Sequence, residues 1–130
     1  MAKAARGKGR SHGFKVKRIY DAPEAADGAR VLVDRLWPRG ISKEKAALDL
    51  WLKDVSPSDA LRKRVHGDPD GWRVFLVDYA DELAREPAAS AARQLLEMAA
   101  KGPVTLLYAA RDEARNNAVA LRDWLESREK

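Results

Sequence analysis

The sequence predicts an α/β fold, a single small sandwich with a mixed or mostly parallel sheet flanked by helices. Three observations carry that expectation. Phe14-Lys15-Val16-Lys17-Arg18-Ile19-Tyr20 alternates apolar and basic side chains, the period of a half-buried strand. Pro103-Val104-Thr105-Leu106-Leu107-Tyr108 is a nearly continuous apolar run, as in a strand covered on both faces. Between them, Trp72, Phe75, Leu76, Tyr79, Ala80 and Leu83 recur at helical spacing. Helices between two strands return the chain to the same edge of the sheet, so the second and last strands should pair in parallel.

Each element follows from local chemistry. After the first strand, Asp21 to Gly28 holds Pro23 and Gly28 and reads as a loop. Arg30 to Leu36 has a β-branched core and predicts a second, more buried strand, stopped at Trp37-Pro38-Arg39-Gly40 because proline has no amide hydrogen for the ladder. Ser42 is placed to cap a short helix over 43–47, and Leu48 to Leu52 reads as a short strand or extended edge. Pro57 and Ser58 predict the start of a helix from Asp59 to about Val65, ended by the turn residues His66-Gly67-Asp68-Pro69-Asp70-Gly71. The helix carrying Trp72 to Leu83 closes at Pro87. Ser90 is expected to cap the next, with Ala91, Leu95, Met98 and Ala99 on one face and Lys101-Gly102 at its end. A last helix is expected from about Glu113 to Ser127, capped by Asp112, with Ala114, Ala118, Leu121 and Leu125 as its stripe and Trp124 beside them.

The 130 residues suit one domain, residues 14–130, preceded by a basic arm at 1–13 that is expected to be disordered. The formal charge of +5 is unevenly placed: residues 1–20 hold seven basic groups and no acid. The other 110 residues carry 18 basic and 20 acidic groups, so the high isoelectric point reflects the arm rather than a basic binding face. The chain has no cysteine, which excludes disulfides, thiolate metal sites and a thiol nucleophile. No apolar run approaches the roughly 18–20 residues that cross a bilayer, and none follows the basic start as in a signal peptide, so a soluble cytoplasmic protein is expected.

In open α/β sheets ligands bind outside the carboxyl ends of the strands. Two segments should reach that rim: Asp34-Arg35-Leu36-Trp37-Pro38-Arg39-Gly40 and Tyr108-Ala109-Ala110-Arg111-Asp112. Arg35 and Arg39, with a helix start, suit a phosphate or carboxylate; Trp37 would wall the pocket, and Asp34, Tyr108, Asn116 and Asn117 would orient the ligand. The same residues have plainer roles: ion pairs for the arginines, core packing for Trp37 and Tyr108, an N-cap for Asp112. Asparagine is a poor helix-interior residue, so Asn116 and Asn117 either brace the neighbouring loops or face a ligand. If chemistry occurs, Asp34 or Tyr108 is the acid–base candidate and His66 the next. No Ser-His-Asp spacing, glycine-rich phosphate loop, paired-histidine metal motif or carboxylate cluster is present, and no cofactor is specified.

Arg18-Ile19-Tyr20-Asp21, Val31 through Gly40, Trp51 with Lys53, Pro57-Ser58 with Leu61-Arg62, and Thr105 to Tyr108 before Asn116 together resemble the YeaO-like family, small bacterial and archaeal proteins built on a domain of unknown function. The resemblance covers about residues 16–126; its most specific part is Asp-Arg-Leu-Trp-Pro-Arg-Gly at 34–40. It implies a cytoplasmic α/β domain and brings no established activity. The family pattern near the last helix reads Asn-His-Ala, where this chain has Asn116-Asn117-Ala118, so proton transfer by a histidine there does not carry over. Nor does the thiol chemistry of larger relatives, since the last strand here ends in Tyr108-Ala109. The leading expectation is a pocket for a small anionic ligand of phosphate or nucleotide type. The alternatives are a nucleic-acid-associated protein using residues 1–13, and a non-enzymatic structural or interaction module.

Overall fold

The computed structural model describes residues 13–128; the arm expected over residues 1–13 therefore lies outside the described residues except for Gly13. Four strands, β1 (Phe14–Arg18), β2 (Ala29–Leu32), β3 (Leu50–Trp51) and β4 (Val104–Tyr108), form one sheet in the order β1-β4-β2-β3. Every pairing is parallel, with Phe14 opposite Val104, Val31 opposite Leu106 and Leu32 opposite Trp51. The helices are α1 (Lys43–Ala46), α2 (Asp59–Val65), α3 (Gly71–Leu83), α4 (Ala88–Lys101) and α5 (Asn117–Arg128). The fold is α/β, and its sheet is wholly parallel.

β4 runs down the middle, and all five of its residues are buried, as the apolar run requires. Alternate residues divide the core. Val31, Val33, Val104, Leu106 and Tyr108 belong to the large cluster with Phe75, Tyr79, Leu83, Leu95, Leu121 and Leu125 of α3, α4 and α5. Leu32 and Leu107 belong to a smaller one with Ile19, Ala46, Trp37 and Trp51.

Several boundaries differ from expectation. The second strand ends at Leu32 rather than Leu36. Val33 still donates to Leu107 O at 3.1 Å. One residue further on, the Asp34 carboxylate takes the Ala109 N–H that would have extended the ladder, at 2.9 Å. Asp112 does not cap the last helix: its Oδ1 accepts the amides of Ala114 and Arg115 in a preceding turn, and α5 begins where Asn116 Oδ1 accepts from Val119 N at 2.9 Å. Ser90 does not open α4 either. The helix starts two residues earlier, at Ala88, and the Glu86 carboxylate accepts the Ser90 amide at 3.0 Å. Ser42 and Ser58 cap α1 and α2 as expected, accepting from Lys45 N and Leu61 N.

At the amino end of β2 lies a buried ionic knot. Arg30 Nη1 donates to Asp27 Oδ2 at 2.6 Å, its Nη2 to Ala46 O at 2.8 Å and its Nε to Ala47 O at 3.1 Å, while Lys17 Nζ donates to both Asp27 oxygens, at 3.1 and 3.2 Å. Gly28 must be glycine there. Its φ is +65°, and a Cβ would stand 2.2 Å from Pro103 O.

Candidate functional site

Beyond the carboxyl end of β4 the surface opens into a cleft of about 560 Å³. Its walls are α2 with the turn from His66 to Gly71, the start of α3, and the loop leading from Ala110 into α5. Two aromatic residues sit in it. Trp72 is half-buried, and one face of its indole stacks on Phe75 with centroids 5.6 Å apart and planes 18° from parallel. Arg62 and Arg115 line the cleft from opposite elements, both exposed, and neither forms an ion pair among the described residues. The two carboxylates at the rim are engaged by backbone. Asp68 accepts from Asp70 N at 2.8 Å, and Asp112 is held below the usual carboxylate range by the amides of Arg115 and Ala114.

The loops that carry these groups are braced from beneath. Asp34 Oδ2 accepts from Ala109 N, its Oδ1 from Asn117 Nδ2 at 3.1 Å, and its carbonyl from Trp51 Nε1 at 2.7 Å. Asn117 Nδ2 also donates to Val33 O at 3.1 Å. One half-buried carboxylate thus ties the ends of β2 and β4 to the first residue of α5. Burial pushes the Asp34 carboxyl up, against the pull of Asn117, the Ala109 amide and the Arg62 charge. On the β1 side, Arg18 donates to Ala110 O at 3.0 Å and Ala109 O at 3.2 Å, fixing the loop that forms the cleft's far wall.

The residues singled out from sequence fall into three places. His66, Asn116 and Asn117 line the cleft, with Asp34 and Tyr108 behind them. Tyr108 is only 3% exposed; burial and the Glu113 charge raise its phenol, and the Asn116 amide stands beside it. Arg35 turns elsewhere, donating to Pro57 O at 3.3 Å and standing 3.9 Å from Asp59 at a separate hollow of about 270 Å³ that Glu82 and Glu86 share. Trp37 lies in the smaller core cluster, edge-on to Trp51 at 5.4 Å and donating to Ile41 O. Arg39 is exposed, and its carbonyl accepts the Tyr20 hydroxyl at 2.7 Å. The structure therefore separates Arg35, Trp37 and Arg39 from the cleft that holds the two asparagines.

Arg62, Arg115, Trp72 and Phe75 were not among the sequence candidates. Trp72 follows the turn cluster from His66 to Gly71 directly, and an aromatic residue at the mouth of a helix behind such a turn is the signal that marks it. Arg62 and Arg115 carry no local signal, because only the packing of α2 beside the loop before α5 brings them to one cleft. Among the described residues, no group of three or more side chains is arranged to hold a metal ion, and no helix is long and apolar enough to cross a membrane.

Comparison with known proteins bears on the whole of this architecture. Residues 13–130 match the family model described as "Inactive DUF488-N3 subclade". The chain is 47% identical over 114 residues to the uncharacterized protein YeaO of Escherichia coli (strain K12), covering 88% of this chain and 97% of the relative. It is 39% identical over 114 residues, 88% of this chain and 94% of each relative, to the uncharacterized proteins Mb3100c of Mycobacterium bovis and Rv3073c of Mycobacterium tuberculosis (strain H37Rv). No solved structure gives a significant match. With so much of its length shared, the chain belongs to the DUF488-N3 inactive subclade, a YeaO-like family whose domain has no assigned function.

Proposed function

We propose that the protein is a binding module for a small anionic ligand of phosphate or nucleotide type, held in the cleft beyond β4 without being chemically altered. The observation that carries the reading is a cleft at the carboxyl edge of a parallel sheet whose wall holds two exposed guanidiniums, Arg62 and Arg115, that feel the charges of Asp34 and Asp112 but form no salt bridge among the described residues. The start of α5 adds its positive dipole end through Asn116 and Asn117. A volume of about 560 Å³ falls in the range of small-molecule sites.

Binding without chemistry fits the groups at hand. Asn117 exchanges no proton near neutral pH. Both Asp34 oxygens are already occupied by fixed N–H donors. The Tyr108 phenol is buried behind Asn116. The word "inactive" in the family's description accords with this reading.

Isothermal titration of the full chain with inorganic phosphate and ribose 5-phosphate tests it. A charge-assisted hydrogen bond contributes about 1.5–3 kcal/mol, so Arg115→Ala and Arg62→Ala should each weaken binding by about 10- to 100-fold. Equal binding by wild type and both variants, or none by wild type, refutes the reading. A second reading, contact with nucleic-acid phosphates, is favoured by the seven basic groups in residues 1–20. Four cations in the arm would then give a log–log salt slope near −0.9 each on duplex DNA, and a slope unchanged by deleting residues 1–13 removes that reading.

A further inference from the structure

Resting on the anion-cleft reading, we propose that the ligand is a nucleoside monophosphate, its base stacked on Trp72 and a base N–H donated to Asn117 Oδ1. The orientation of the Asn117 amide is fixed from behind. Its Nδ2 donates to two acceptors at once, Val33 O and Asp34 Oδ1, each at 3.1 Å. Turning the amide over would set its oxygen against both. Oδ1 must therefore face away from the sheet, and Asn117 lines the cleft. Among the described residues no donor reaches that oxygen, and it is not a buried unsatisfied atom, so it stands open to whatever enters.

Three kinds of recognition then meet in one cleft: guanidiniums that form no salt bridge among the described residues, an aromatic plane and a rigid acceptor. Trp72 is half-buried, lines the cleft and stacks on Phe75 at 5.6 Å, which steadies the indole as a flat platform at the cleft wall. Inorganic phosphate would use only the guanidiniums, and a sugar phosphate could add a hydroxyl donor to the acceptor but has no aromatic face for Trp72. A nucleoside monophosphate uses all three, because each common base has both a π-face and at least one N–H on its pairing edge. A fixed acceptor also selects: an edge offering only carbonyl oxygens would leave Asn117 Oδ1 facing another acceptor.

The test titrates the full-length chain with AMP, CMP, GMP, UMP and ribose 5-phosphate. At least one nucleotide should bind about tenfold or more tightly than ribose 5-phosphate, the scale of one base–aromatic stack with a hydrogen bond. Trp72→Leu should bring that nucleotide to within about threefold of ribose 5-phosphate while leaving ribose 5-phosphate itself unchanged. Methylating every N–H of the preferred base removes the donor without touching the protein, and should cost about tenfold in wild type and nothing in Asn117→Ala. If ribose 5-phosphate binds through Arg115 but no nucleotide exceeds it, base recognition is overturned and the anion cleft stands. If neither ribose 5-phosphate nor any nucleotide binds, both fall together. A preferred nucleotide that binds its methylated form equally well overturns the role of Asn117.

Discussion

Replacing Asn117 by alanine removes the one side chain that joins the first residue of α5 to the ends of β2 and, through Asp34, β4. Two hydrogen bonds disappear, one to the Val33 carbonyl and one to the Asp34 carboxylate. A neutral bond contributes about 0.5–1.5 kcal/mol and one to a charged group about 1.5–3, so the loss should be about 2–4 kcal/mol. Urea denaturation at constant m reads it directly. Asp34→Ala gives up the shared bond and the bond from Ala109 N. Because the Asp34–Asn117 bond can be lost only once, the two single penalties should exceed the double by about 1.5–3 kcal/mol.

The penalty also depends on pH. Asp34 is raised in the fold, so its contribution to stability is complete below the unfolded carboxylate value and declines as pH rises through the folded one. Asn117 pulls in the opposite direction, toward the charged form, and its removal should matter most at neutral pH and shrink when Asp34 is protonated. Penalties that add to within about 0.5 kcal/mol, or that are the same at pH 3 and pH 7, refute the brace.

Asp27→Ala should cost about 3–5 kcal/mol, because it leaves Arg30, itself only 4% exposed, without its carboxylate; chemical denaturation measures it, and a loss under 1 kcal/mol rejects the knot as a structural element. Burial works to raise the Asp27 carboxyl, yet the Glu24 amide, Lys17 and Arg30 hold it below its ordinary value. Its stabilisation is thus full above the unfolded value and lost as pH falls through the folded one, so the wild-type advantage over Asp27→Asn should fade in strong acid. Gly28→Ala should cost about 3 kcal/mol or more, since it combines a conformation restricted to glycine with a contact on the Pro103 carbonyl; a melting temperature unchanged from wild type would contradict that geometry.

Most of the fold was legible in periodicity. The alternation at Phe14 to Tyr20, the apolar run at Val104 to Tyr108 and the stripe from Trp72 to Leu83 each correspond to an element, because each reports directly which faces are buried. The boundaries were less legible wherever a side chain replaces a backbone partner. Nothing in Val31-Leu32-Val33-Asp34 says that Asp34 will take the Ala109 amide, since Ala109 is 75 residues away. Asp112 and Asn116 are both competent caps, and Asn116 prevails at α5 because its Oδ1 meets Val119 N while Asp112 closes the turn before it.

The site divides along the same line. The Asp34-to-Gly40 string is compositionally odd, and its oddness is spent on architecture: Asp34 clamps two strand ends, Trp37 closes the smaller core, and the Arg39 carbonyl receives Tyr20. Residues that must satisfy one another leave a strong mark in sequence, because each makes its own local choice unusual. An exposed guanidinium leaves none, since arginine on a surface helix or loop is ordinary. The two groups meet at Asn117. Its amide nitrogen belongs to the brace, and on the proposed reading its oxygen faces the cleft that the residue lines. A ligand reading that oxygen would be reading the fold's own fastening, and a substitution at Asp34, which lies behind it, should therefore weaken binding as well as stability.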